Sequence, residues 1–156
     1  MSKYREKIVS RIELETFCHA TEVEDRVIQA ILNIIPPNLH EDILKSMSIQ
    51  ALLGHYRNPI KVIRVKVLEK EKAQEIAKFI LKRMPPLQFD ILKNSLDQRI
   101  GKSSTLFFRL NKQDAYLNKI SLSDSSDDVI KIKLGFLPHV RSRERLREMI
   151  EKLVRN

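Results

Sequence analysis

The chain has 156 residues, with 29 Lys and Arg against 20 Asp and Glu and a net charge of +9, a balance that favours an anionic partner and disfavours a cationic one. That length can close one hydrophobic core without metals, and the single cysteine, Cys18, excludes an intramolecular disulfide. The charged start Met1–Lys7 and the lack of any run near the roughly 18 apolar residues of a membrane span lead us to expect no export and no spanning helix, and one domain over residues 1–156 in the cytoplasm.

Residues 8–18 place Ile8, Ile12, Leu14 and Cys18 on one side at period two, which predicts a half-buried strand. Thr21-Glu22-Val23-Glu24 has capping-box spacing, in which the Thr21 hydroxyl accepts from the Glu24 amide. Val23, Val27, Ile28, Ile31, Ile34 and Ile35 then form a helical stripe that Pro36-Pro37 ends. Residues 47–53 and 60–68 read as two strands joined by the turn Gly54–Pro59; Ile63, Val65 and Val67 face one way, Arg64 and Lys66 the other.

Ala73, Ile76, Ala77, Ile80, Leu81 and Met84 are spaced for one buried helix face, which Pro85-Pro86 stops. A less regular helix is predicted over 88–100, then a turn at 101–104, a strand at 105–110 and a helical turn from Lys112 to Tyr116. A short strand is expected at 119–122 and a polar acidic loop at 123–128. Residues 129–136 alternate cleanly, with Lys131 and Lys133 outward, and a helix over 141–155 turns Leu146, Met149, Ile150, Leu153 and Val154 inward.

Strands unevenly interrupted by helices predict an α+β fold, a mostly antiparallel sheet with helices packed on one face. Arg64, Lys66, Arg109, Lys131 and Lys133 all fall opposite the apolar set, so they share one basic surface if their strands are neighbours. Arg109 and Lys112 are candidates for phosphate contact, Gln113 for a base edge or sugar hydroxyl and Tyr116 for stacking. The blander alternative is a helix start that buries Tyr116 and solvates the rest, with Asp114 opposing phosphate. Phe107 lies on the Arg109 side, where it either stacks or fills core.

The turn holds the rings of His55 and Tyr56, the cation of Arg57 and the amide of Asn58, a mixture suited to an RNA-contacting tip and equally to a plain hairpin turn. The arginines of the last helix are interrupted by Glu144, Glu148 and Glu151 at ion-pair spacing, which favours a solvated face, with Arg141 and Arg145 as secondary phosphate contacts. The four histidines are scattered without zinc-site spacing, and no Gly-x-Ser-x-Gly, Walker loop or nucleophile–base pattern is present. No metal, cofactor or catalytic residue is therefore expected.

Three stretches, His19-Ala20-Thr21-Glu22, Gly54-His55-Tyr56 with Asn58-Pro59-Ile60, and Arg109-Leu110 with Lys112-Gln113 and Ala115-Tyr116-Leu117, occur in this order. Together they resemble the archaeal RNA-binding family described as predicted exosome-associated subunits, over roughly residues 8–136. The resemblance implies a non-enzymatic RNA-binding protein, with an α+β fold like that of a large-subunit ribosomal protein that binds 5S rRNA, compared also with double-stranded-RNA-binding domains. Arg57 and Asn118 stand where that family usually has glycine. The expected partners are single-stranded or structured RNA and, from the resemblance, exosome or ribosomal components. A protein-interaction subunit that docks acidic partners is the alternative, and a nuclease built on His19 or His55 is a third.

Overall fold

A computed structural model describes residues 6–54, 56–101, 104–140 and 142–155. Six strands, β1 (Val9–His19), β2 (Ser48–Leu53), β3 (Pro59–Val67), β4 (Ile100–Gly101), β5 (Thr105–Asn111) and β6 (Val129–Phe136), form one sheet in the order β2-β3-β1-β6-β5-β4. Every neighbouring pair is antiparallel. Around it stand α1 (Glu24–Asn33), α2 (His40–Ser46), α3 (Lys70–Arg83), α4 (Pro86–Asn94), α5 (Leu96–Arg99), α6 (Lys112–Tyr116) and α7 (Arg143–Arg155). This is the α+β, antiparallel arrangement expected from the strand and helix periodicities.

Period two decides which strand face is covered. Ile12 and Leu14 of β1, Ile63 and Val65 of β3, Leu106, Phe108 and Leu110 of β5, and Ile130, Ile132 and Leu134 of β6 are buried in one cluster with Ile31, Ile76, Ile80, Leu92 and Ile150 of the helices. The residues between them point to the opposite face, which the helices leave uncovered. Among the described residues, no helix is long and apolar enough to cross a membrane.

Two buried polar side chains hold the long central strand in register. Thr16 donates its hydroxyl to the Val129 carbonyl at 2.8 Å, and Gln74 of α3 accepts from the amides of Ile8 (2.8 Å) and Val9 (3.3 Å), where a bulge shifts β1 against β6. Replacing Gln74 by leucine leaves those amides without their acceptor and should lower stability by about 2 kcal/mol. Urea unfolding would read this as a lower midpoint at an unchanged slope.

The structure corrects several local expectations. Thr21 does not cap α1: Val23 occupies the cap position, no side chain bonds there, and Val23 is 54% exposed. The short strand expected at 119–122 reduces to a single bridge between Leu110 and Leu122. The 88–100 helix begins earlier, with Pro86 at its first turn, and breaks at Ser95 into α4 and α5. A 3-10 turn over Pro37–Leu39, α2 and the two-residue β4 were not anticipated. His55 and Arg141 lie outside the described residues.

Candidate nucleic-acid interface

Register across the uncovered face lines the charged residues into two rows. One runs Lys66, Glu13, Lys133, Phe107 and the next Arg64, Glu15, Lys131, Arg109. The five basic strand residues therefore do share a face, but β1 divides them. Glu15 accepts from Arg64 Nε at 2.7 Å, while Glu13 stands 3.9 Å from Lys66, 3.8 Å from Lys133 and 3.9 Å from Arg11. Six cations of the described residues, Arg11 included, thus meet the two carboxylates of these rows, and the surplus lies on the β5–β6 side, where Asp124 adds a third carboxylate within electrostatic reach of Arg109. There Arg109 and Lys131 stand directly opposite one another, and among the described residues neither forms an ion pair.

Aromatic rings are set among these charges. The Lys131 ammonium lies 5.5 Å from the centroid of Phe17 and that of Lys133 lies 5.8 Å from Phe107. Phe107 is 46% exposed and rests on Gly101, where a Cβ would come within 2.9 Å of its ring. Beside it opens a cleft of about 570 Å³, lined in part by Arg99, Gly101, Phe107, Arg109, Asp124 and Lys131. Arg99 grips Asp124 with two bonds of 2.9 Å, and chiefly this hydrogen bonding, against partial burial, holds the Asp124 carboxyl below its ordinary value.

The three stretches that carried the family resemblance gather at one end of the sheet. His19 at the end of β1 pairs with Ile60 at the start of β3, which places the 54–59 turn beside the His19–Glu22 corner. Asn111 at the end of β5 pairs with Val129 and caps α6, its side chain accepting from the Asp114 amide at 2.8 Å. What ties this end together is Lys112. Its side chain is 4% exposed, and the ammonium donates to the Phe17 carbonyl (2.8 Å) and to Glu22 (2.9 Å) and pairs with Asp128 at 2.8 Å.

Glu22 also accepts from the His19 amide at 3.1 Å, and Asp128 from the Gln113 side chain at 2.9 Å. Burial would raise the Asp128 carboxyl, but hydrogen bonds from Lys112 and Gln113, with the charges of Lys112 and His19, hold it below its ordinary value. Lys112 therefore stands inside the fold, with its charge answered by two carboxylates. Gln113 and the 39% exposed Tyr116 remain at the surface, lining a small cleft against Glu22, Val23 and Arg26.

In the hairpin turn Tyr56 is 88% exposed, and Arg57 and Asn58 are also at the surface. The turn closes through Gly54 N–H to the Asn58 carbonyl at 2.7 Å and Arg57 N–H to the Gly54 carbonyl at 2.9 Å. Arg57 has φ 60° and Asn118 φ 64°, backbone that favours glycine, at the two positions where the resembled family usually has it. Sequence reasoning did not anticipate the roles of Glu13, Glu15, Arg99 or Asp124. The acidic members of β1 were visible as outward strand positions, but only the strand order sets them between the cations.

A family model described as RNA binding matches residues 11–136. An uncharacterized protein of Methanocaldococcus jannaschii is 34% identical over 131 residues, covering 83% of this chain and 85% of its own length. An RNA-binding protein of Pyrococcus abyssi is 23% identical over 128 residues, covering 81% and 82% respectively. Among solved structures, a DUF54-family protein of Archaeoglobus fulgidus superposes with a TM-score of 0.75 at 25% identity, over 93% of this chain and 99% of its own.

Proposed function

This chain belongs to the RNA binding family, and from that premise we propose that it holds RNA on the uncovered face of its sheet and at the adjoining strand end, as a single domain that makes and breaks no bonds. The observation that carries this reading is the excess of cations over carboxylates on a sheet face that, among the described residues, no helix covers. Arg109, Lys131 and Lys133, on the β5–β6 side, meet phosphates first, although Lys133 shares Glu13 with Lys66; Arg64, bonded to Glu15, and Lys66 add a weaker field. At the strand end, Gln113 and Tyr116 on one side and Tyr56, Arg57 and Asn58 on the other offer polar and aromatic groups to sugars and bases. Lys112 positions these elements from within the fold.

The finer role, as a cytoplasmic accessory factor for an RNA-processing, RNA-degrading or ribosome-linked assembly, rests on the resemblance of the three motifs. The binding itself is tested by its salt dependence. With about 0.7 counterions released per phosphate of a single strand, three engaged cations give a log–log slope of about −2 and all five about −3.5. A slope in that range is expected for single-stranded RNA. Affinity that does not change with salt would overturn the reading, and a complex with an acidic protein that survives nuclease would favour the protein-docking alternative.

A further inference from the structure

We propose that the cleft between β5, β6 and α5 is a base-stacking subsite for single-stranded RNA, in which an unpaired base lies on Phe107 and its phosphate bridges Arg109 and Lys131. The inference rests on the RNA-binding reading and adds to it a strand state and a location.

Phe107 is the first ground. A phenyl ring left 46% exposed forgoes much of its burial; here it packs against Gly101, and the Lys133 ammonium over the ring, 5.8 Å from its centroid, is the end of a flexible side chain that an incoming base moves aside. A side chain at Gly101 would displace the ring, so the glycine preserves the position of a flat apolar surface at the mouth of the cleft. Bases of every kind stack on such a surface.

The second ground is electrostatic. Like charges directly opposite one another on neighbouring strands destabilise a sheet, and Arg109 and Lys131 are such a pair; Glu15 stands opposite Lys131 on its other side and Asp124 feels the Arg109 charge, but neither cation forms a direct ion pair among the described residues. An anion seated between them turns that repulsion into attraction. Phe107 and Arg109 are two residues apart on one face of β5, about 7 Å along the strand, so a stacked base brings its own backbone to the cations.

The third ground is the far wall. The Asp124 side chain, 57% exposed and kept ionised by Arg99, disfavours phosphate there and presents acceptors to a 2′-hydroxyl or an exocyclic amine. The cleft thus has a flat apolar surface at its mouth, a cationic side and an accepting side. A-form duplex keeps its bases paired inside, so only an unpaired base reaches Phe107.

The test compares a single-stranded oligoribonucleotide carrying 2-aminopurine with a duplex RNA of the same length. Phe107→Leu should weaken single-strand affinity by about 5- to 150-fold, abolish the stacking-dependent quenching, and leave the duplex affinity and the salt slope unchanged. Phe107→Trp should restore binding. Gly101→Ala, which displaces the ring without deleting it, should reproduce the loss and serves if the leucine variant does not fold. Unchanged single-strand affinity in both variants, or equal losses on single strand and duplex, would overturn the subsite while leaving the cationic face standing. Failure of the unaltered protein to bind either RNA would overturn the functional reading itself.

Discussion

Replacing Lys112 by methionine should lower the unfolding free energy by about 2 to 3 kcal/mol and the melting temperature by roughly 5 to 10 °C. Methionine keeps the stem but removes the ammonium, leaving Glu22 and Asp128 facing each other and the Phe17 carbonyl without its donor. Breaking a fully buried pair costs more; Glu22 and Asp128 are 21% and 40% exposed, so water recovers part of the loss. Adding Glu22→Gln and Asp128→Asn should restore some stability, giving a strongly non-additive cycle.

The same node has a pH signature. Asp128 titrates lower in the folded chain than its ordinary value of 3.8, so its contribution is complete above that value and is lost as pH falls through the depressed one. In the methionine variant this acid-side loss should shrink, with only Gln113 and His19 left to favour the ionised Asp128. The RNA salt slope at a temperature where the variant is folded should match that of the unaltered protein, because Lys112 meets carboxylates and not phosphate. A slope flattened by about 0.7 would instead make Lys112 a phosphate contact.

The second large effect falls on binding. Arg109→Ala with Lys131→Ala should weaken single-stranded RNA binding by roughly 10- to 100-fold at physiological salt and flatten the slope by about 1.4. Arg64→Ala should cost less than about threefold, since Glu15 and Gln50 already engage that guanidinium. Removing either member of the Arg109–Lys131 pair should leave stability within about 0.5 kcal/mol, because relief of the like-charge contact is offset by losing the Glu15 partner opposite Lys131 on β1 or the attraction between Arg109 and Asp124. Weaker binding at unchanged stability separates a binding residue from a structural one; unchanged binding in the doubly substituted protein would remove Arg109 and Lys131 from the interface.

What was legible in the sequence is what local periodicity encodes. Lys131 and Lys133 alternate with Ile130, Ile132 and Leu134, so the outward side of β6 follows from spacing alone, as do Arg64 and Lys66 on β3. The buried stripe of α3 follows in the same way. Contacts between distant segments are not written in spacing. Glu22 lies within the Thr21–Glu24 stretch as an ordinary polar residue, yet its carboxylate is drawn to Lys112, 90 residues further along, and a cationic residue in a polar stretch gives no sign that it will be buried.

The sheet order was equally hidden. Glu13 and Glu15 look like ordinary outward residues of β1 until β3 and β6 close on either side and turn a uniformly basic face into two unequal halves. The seven residues of α2 span fewer than two turns, too few for a stripe to declare itself. Arg57 and Asn118 show the converse, since the resembled family's glycines at both positions correspond to the positive φ found here.

The claim that RNA lies on the uncovered face of the sheet is tested most directly by titrating isotope-labelled protein with single-stranded RNA and following the side-chain and amide resonances. The account predicts perturbations at Phe107, Arg109, Lys131, Lys133 and Tyr116, with α3 and α7 unchanged. Shifts confined to α3, α4 and α7 would place the RNA on the helical side and contradict it.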